Sequence, residues 1–184
     1  MRVFIFPGQG SQKIGMGLDL YNQFKVAKDV FLEVDETLRF NLSKLMFEGD
    51  LSELSLTYNA QPALMATGIA VLRVIENELG LKIDKISHFV CGHSLGEFTA
   101  LCSVGVLTLS ETAKILRFRG EAMQKAVPRD EGAMAAFISN NFDRLDDLLK
   151  EVSHLGICQI ANENSSDQLV ISGKAEAVKK AVEI

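Results

Sequence analysis

Residues 86–97, Ile86-Ser87-His88-Phe89-Val90-Cys91-Gly92-His93-Ser94-Leu95-Gly96-Glu97, decide how this chain is read. Ile86 to Cys91 reads as a strand, running straight into Gly92-His93-Ser94-Leu95-Gly96 and a helix ending near Gly105. A G-x-S-x-G between a strand and a helix has a specific mechanical meaning. Its glycines permit a turn sharp enough to thrust the serine outward. The hydroxyl then stands at a helix N-terminus, where free backbone N–H groups and the helix dipole favour developing negative charge. Leu95 N–H is a candidate oxyanion donor in that turn. Five-residue patterns of this kind also arise by chance, so the strand-to-helix setting carries the argument.

Upstream, Val3-Phe4-Ile5-Phe6 predicts a short buried strand, ended by Pro7-Gly8-Gln9-Gly10. Phe24, Ala27, Phe31, Val34 and Leu38 recur at helical spacing. Residues 42–58 read as short helical pieces and loops. Pro62, favoured in a first turn, opens a helix to Leu79 that stops at Gly80. Its first half has no polar face and is expected to be buried. Ser110 is a plausible cap for a further helix to about residue 127. Strands alternating with helices of this length predict a parallel sheet with helices on its faces. The character changes at Pro128-Arg129-Asp130-Glu131-Gly132, which divides the chain into 1–127 and 128–184. Strand 133–138, helix 143–152, strand 157–161, polar turn 162–167, strand 168–172 and helix 175–182 then make a β-α-β-β-α series. That is a ferredoxin-like unit without its last strand. The fold class expected is α/β, with both parts incomplete in this chain.

Composition narrows the function. At 184 residues, with 47% hydrophobic and 23% charged residues, the chain has ordinary globular usage. A net charge of −5 with scattered lysines and arginines speaks against a nucleic-acid-binding face. Cys91, Cys102 and Cys158 show no CxxC spacing and read as buried reduced thiols. No metal or cofactor motif is expected. The N-terminus lacks a secretion-signal core, and the uncharged apolar stretch 62–72 is well short of a membrane span. The expected location is the cytosol, or an organelle matrix if a transit peptide was removed, and no membrane partner is expected.

A serine nucleophile needs a base. His93 adjoins Ser94 but points elsewhere on a tight turn, and reads as orienting or structural. His88 lies inside the predicted strand, and His154 in the last turn of a helix. None is a convincing base. Arg119 is the most informative charge: with Thr112, Ile115, Leu116, Ala122, Met123 and Ala126 it falls on the apolar stripe of its helix, while Arg117, Glu121, Gln124 and Lys125 take the other face. A buried guanidinium requires an anionic partner. That partner is either an internal aspartate or glutamate or the carboxylate of a ligand, bound bidentately, and spacing leaves both open. Gly8-Gln9-Gly10-Ser11-Gln12 follows a strand, where loops line ligand crevices in α/β sheets, but it lacks the nucleotide-binding glycine patterns.

Taken together, Phe6-Pro7-Gly8-Gln9-Gly10-Ser11-Gln12, Gln61-Pro62-Ala63, Gly92-His93-Ser94-Leu95-Gly96-Glu97, Arg117-Phe118-Arg119-Gly120 and Gly132-Ala133-Met134-Ala135-Ala136 resemble the malonyl-CoA:acyl-carrier-protein transacylase family along essentially the whole chain. The acyltransferase domains of polyketide and fatty-acid synthases share most of the pattern. The resemblance implies an α/β-hydrolase-like subdomain holding a ferredoxin-like insert. It implies Ser94 as nucleophile, Arg119 as clamp for the malonyl carboxylate, and the backbone N–H groups of Gln9 and Leu95 as oxyanion hole. Gln61, Asn162 and His93 match positions lining the crevice. The implied substrates are malonyl-CoA and the phosphopantetheine thiol of holo-acyl carrier protein, in fatty acid biosynthesis. In the family the histidine base follows the last strand of the insert, beyond Ile184, so residues 1–184 alone are expected to be inactive. The rival readings are a serine esterase or thioesterase sharing only the nucleophile turn, and a non-catalytic remnant that binds CoA or carrier protein.

Overall fold

The computed structural model describes residues 1–128 and 131–184. Arg129 and Asp130, inside the expected boundary segment, lie outside the described residues. The chain divides into two compact units, Met1–Gln124 and Lys125–Ile184. The mixed α/β class read from the sequence is what the structure shows.

In the first unit, β1 (Val3–Phe6) pairs in parallel with β2 (Phe89–Gly92), residue for residue from Val3 opposite Phe89 to Phe6 opposite Gly92. Between them run α1 (Leu18–Gln23), α2 (Lys25–Leu38), α3 (Leu42–Glu48), α4 (Leu51–Leu54), α5 (Thr57–Leu79) and α6 (Ile83–Ile86). After β2 come α7 (Leu95–Ser103) and α8 (Leu109–Ala126). Helix α5 is the spine of the unit. Ala63, Met65, Ala66, Ile69 and Ala70 are buried on it, as its missing polar face foretold. They pack with Ala27, Val30, Phe31 and Val34 of α2, Leu42 and Met46 of α3, Leu95 of α7 and Leu116 of α8. At about 1.5–3 kcal/mol per fully buried large side chain, this cluster dominates the unit's stability.

Several local expectations are corrected. The strand at 86–91 starts three residues late, because residues 83–86 coil into α6. His88 therefore precedes β2, where its Nδ1 accepts a hydrogen bond from Arg2 N at 3.0 Å and its own N–H donates to Arg2 O. The two strands are covered on one face only. Phe6 is buried, but Ile5 and Phe89 are 72% and 63% exposed and Cys91 is exposed beside them, whereas Cys102 and Cys158 are buried as expected. Burial holds both of those thiols above their ordinary pKa. Helix α5 begins at Thr57, placing Pro62 inside it rather than at its start. The proline's missing N–H leaves the Tyr58 carbonyl without its helical donor, a cost that packing of the first turn offsets. Helix α8 is capped by Thr108, not Ser110. Thr108 Oγ1 accepts from Glu111 N at 3.2 Å while Glu111 Oε2 accepts from Thr108 N at 2.9 Å, a capping box. Ser110 instead donates to Glu33 and accepts from Thr37.

The end of α5 is tied down by a buried carboxylate. Glu76 Oε2 meets Arg73 at 3.1 Å and Lys82 at 3.3 Å, and Oε1 accepts from Ile83 N at 3.0 Å, fixing the turn into α6. Burial alone would raise this carboxyl's pKa, but the Ile83 N–H and the two cations outweigh it and hold it below its ordinary 4.5. A depressed carboxylate stabilises the fold above its unfolded pKa and loses that contribution as pH falls through the folded value. Glu76→Gln should therefore lower stability by about 1–2 kcal/mol at pH 7, because a charged acceptor is lost while two half-exposed cations return to water. Denaturant titrations across pH test this: the gap between mutant and wild type should close as pH falls through the folded carboxyl's pKa, below its ordinary 4.5, and a pH-independent gap would assign the loss to packing.

The second unit is a three-stranded antiparallel sheet, ordered β3 (Gly132–Ile138), β5 (Gln168–Lys174), β4 (Cys158–Ser165). Helices α9 (Leu145–Val152) and α10 (Ala175–Glu183) cover one face, burying Leu145, Val152, Ala177, Val178 and Ala181 against Leu169 and Ile171. Alternation of side chains sets this register: Ala133, Ala135 and Phe137 face the helices, while Met134 and Ile138 are exposed. The polar turn expected over 162–167 shrinks to Ser166-Asp167. Asn162, Glu163 and Asn164 continue β4, through register shifts at Ile160/Asn162 and Glu163/Ser165. Pairing with β5 overrides their weak strand propensity.

Candidate active site

Parallel pairing of β1 with β2 places the two strands' C-terminal ends, and the loops that follow them, side by side. His93 N donates to Phe6 O at 3.1 Å, and the His93 ring lies over Gly8. The turn between them is as tight as the sequence implied. A Cβ on Gly92 would lie 2.0 Å from the Gly96 carbonyl carbon, and one on Gly96 would lie 2.2 Å from Phe6 O. Only glycine fits at either place. Ser94, between them, has φ 55° and ψ −111°. For a residue with a side chain this conformation costs about 1–3 kcal/mol and persists only where its surroundings fix it. Here Gly96 N donates to His93 O, Glu97 N donates to Ser94 O, and buried Leu95, Thr99 and Ala100 anchor the helix behind.

The Ser94 hydroxyl meets Arg119. The guanidinium Nη2 donates to Ser94 Oγ at 3.0 Å, and Nη1 donates to Gln61 Oε1 at 2.8 Å. Gln61 is buried in α5, and its Nε2 donates to Met123 Sδ at 3.3 Å, so its carbonyl is held towards the arginine. The guanidinium also lies 5.8 Å from the Phe98 ring centroid. Among the described residues no carboxylate pairs with Arg119. Of the two partners left open by the sequence, the internal acid is not found among the described residues. Ser94, Arg119 and Gln61 are thus brought into one hydrogen-bonded group.

The remaining expected residues are placed as follows. Leu95 is the first residue of α7, so its N–H has no intrahelical acceptor. Gln9 stands in the loop after β1, its exposed side chain reaching Ser55 O at 3.4 Å. Gly10 N donates to Gln12 Oε1, which curls the loop on itself. Asn162 belongs to the second unit, half-buried on β4 opposite Val170. His154 is also in that unit, its Nδ1 2.8 Å from Glu151 O just past α9.

The stripe drawn on α8 is off by one position. Leu109, Thr112, Ala113, Leu116 and Gly120 are its buried residues, whereas Ile115, Met123 and Ala126 are exposed. The reason is close helix contact: a Cβ on Gly120 would lie 2.4 Å from Tyr58 Cα, so small residues rather than large ones make the crossing with α5. Arg117, expected on the outer face, turns inward. Its Nη1 donates to Asn59 Oδ1 at 2.7 Å, its guanidinium lies 5.1 Å and 5.5 Å from the Phe40 and Tyr58 ring centroids, and its Nη2 is buried without a hydrogen-bond partner.

The site thus holds a strained serine at a strand-to-helix turn, tied to an arginine with no acid partner among the described residues. The acyl transferase domain family matches residues 3–184. The chain belongs to the acyl transferase domain family. Among members of this acyl transferase family, the malonyl CoA-acyl carrier protein transacylase of Bacillus subtilis (strain 168) is 50% identical over 182 residues, covering 98% of this chain and 56% of that protein. The crystal structure of acyl-carrier-protein-S-malonyltransferase from Bartonella henselae superposes with a TM-score of 0.92 at 53% identity, covering 100% of this chain and 58% of that one. A malonyl-transacylase solved in complex with a type II PKS acyl-carrier protein gives a TM-score of 0.89 at 38% identity, over 98% and 57%. The chain therefore spans a little over half the length of the acyl transferase relatives it matches.

Proposed function

We propose that the protein transfers a malonyl group from malonyl-CoA to the phosphopantetheine thiol of an acyl carrier protein, through a malonyl ester on Ser94. The observation that carries this reading is Arg119. A fixed cation 3.0 Å from the nucleophile, with no carboxylate of its own among the described residues, fits an acyl group that ends in a carboxylate. A neutral ester would leave that charge without a use, which counts against the esterase reading. The names and structures of the relatives support the same chemistry.

On this reading Ser94 Oγ attacks the thioester carbonyl, whose electron pair moves onto oxygen. The backbone N–H groups of Leu95 and Gln9 are the proposed donors to that oxyanion. Collapse expels the CoA thiolate, which takes up the proton that left the serine. The carrier's thiol then attacks the malonyl-serine ester, and the reverse proton transfer regenerates Ser94. Gln61 holds Arg119 in position for the malonyl carboxylate, and His93 is proposed to line the crevice. The proton acceptor is proposed to be a histidine outside residues 1–184. His88 Nδ1 is taken by Arg2 N–H, and His154 Nδ1 lies 2.8 Å from Glu151 O.

The architecture is read in the same terms. The parallel β1–β2 pair backed by α5 and α7 supports an α/β-hydrolase-like subdomain over 1–127. The order β3-β5-β4 with α9 and α10 on one face supports a ferredoxin-like unit over 128–184. Brief incubation of the intact protein with malonyl-CoA, followed by peptide mass spectrometry, tests the chemistry. A malonyl adduct on the peptide containing Ser94 is expected. An adduct confined to Cys91 or to another serine would overturn the assignment.

A further inference from the structure

Arg119 is one of two arginines on α8 that reach back to buried amides on α5, and both pairs are separated by 58 residues: Arg119 to Gln61 and Arg117 to Asn59. Asn59 and Gln61 are both essentially inaccessible to solvent. Residues two apart on a helix lie about 200° apart around its axis. The two amides therefore flank α5 on either side, and the two guanidiniums flank α8. Between them Gly120 lies against the backbone of Thr57 and Tyr58. The hydrogen bonds bracket the crossing like a pair of struts.

Only the strut on Arg119 reaches the nucleophile. The one on Arg117 makes no contact with Ser94, yet it is held with care. Asn59 Nδ2 donates to Glu53 O at 2.9 Å and to Glu53 Oε1 at 3.1 Å, which turns Oδ1 towards Arg117. The rings of Phe40 and Tyr58 both lie within cation–π distance of the guanidinium. Desolvation pushes the Arg117 pKa down, with Glu121, Tyr58 and Glu53 opposing. Its buried, unpartnered Nη2 is a cost that an apolar side chain would not incur. A crossing already packed by Ala113, Leu116 and Gly120 does not need a cation for cohesion. What the cation adds is a fixed angle of α8 about its own axis. With a guanidinium roughly 7 Å from the axis, a roll of about 10° would move Arg119 by about 1 Å, enough to matter to an acyl group positioned for attack.

We infer that Arg117, through Asn59, is a positioning residue for acyl selection: it fixes the roll of α8 on α5 and so aims Arg119 at the carboxylate of the acyl group. The inference rests on the malonyl-transfer reading above. Its test is the ratio of kcat/KM for malonyl-CoA over acetyl-CoA in the intact protein, measured with Arg117→Met, Arg117→Lys and Asn59→Ser beside wild type. For Arg117→Met the ratio should fall about tenfold or more, mainly through a higher KM for malonyl-CoA, while acetyl transfer changes by less than about threefold. Arg117→Lys keeps a donor to Asn59 and should recover part of the ratio. Asn59→Ser removes the other half of the strut and should reproduce the loss, which keeps the test open should Arg117→Met fail to fold. An unchanged ratio in the folded variants, or equal losses for both thioesters, would overturn the inference and leave Arg117 a packing residue. Failure of the wild-type protein to transfer malonyl at all would instead overturn the functional reading beneath it.

Discussion

Ser94→Ala in the intact protein is expected to reduce malonyl transfer by about 10⁴–10⁶-fold while the fold survives, since loss of a serine nucleophile removes the covalent route altogether. The substitution deletes one oxygen at a half-buried position and one hydrogen bond, from Arg119 Nη2. Alanine keeps a Cβ, so the backbone strain at φ 55° is unchanged. The melting temperature should therefore shift by only a few degrees, on the scale of about 1 kcal/mol. Transfer of labelled malonyl to carrier protein, with calorimetry on the same preparation, separates the two quantities. Activity above a percent of wild type in a folded Ser94→Ala protein would mean that another residue carries the acyl group.

Arg119→Ala should change which acyl group is accepted rather than whether one is. Removing the cation takes charged hydrogen bonds from the malonyl carboxylate, a loss of about 2–4 kcal/mol, or roughly 30- to 1,000-fold in kcat/KM. It also orphans the buried Gln61 carbonyl, a cost of about 1 kcal/mol to stability that is the same with and without substrate. Acetyl-CoA, with no carboxylate, should lose much less. Steady-state comparison of the two thioesters decides the matter. Equal losses would return Arg119 to the role of a structural tie between α5 and α8.

What was legible beforehand and what was not divides along physical lines. The Ser94 turn could be read from five residues because half of its constraint is local: Gly92 is required by the backbone of Gly96 and Glu97, whereas Gly96 is required by Phe6 O on the neighbouring strand. The buried half of α5 was equally plain, since a helix without polar residues has no face to give to water. Strand ends were misplaced because tertiary pairing, not composition, sets them. Ile86 ends α6, Ser87 caps it and His88 reaches only Arg2, while polar Asn162 to Asn164 become strand because β5 pairs with β4 there. The Thr108-to-Glu111 capping box was written in the sequence as Thr-x-x-Glu and passed over for Ser110. Arg119 stood out as a charge among apolar neighbours, but its true partners lie 25 and 58 residues away and follow from the fold alone. Arg117 was assigned outward because large Ile115 and Met123 seemed to mark the inner face. A helix crossing as close as that at Gly120 selects small residues instead.

The bond between Arg119 and Ser94 has a consequence for the order of events at the site. The same Nη2 that would hold a substrate's carboxylate here holds the nucleophile's oxygen, drawing electron density from the atom that must attack. An acyl group with a terminal carboxylate competes for that donor and, in winning it, returns the lone pair to Oγ. One without a carboxylate has nothing to exchange and meets a serine still engaged. On the malonyl-transfer reading, selectivity then lies partly in a safety catch that a carboxylate-bearing substrate releases, so that discrimination between acyl groups should show in turnover as well as in affinity.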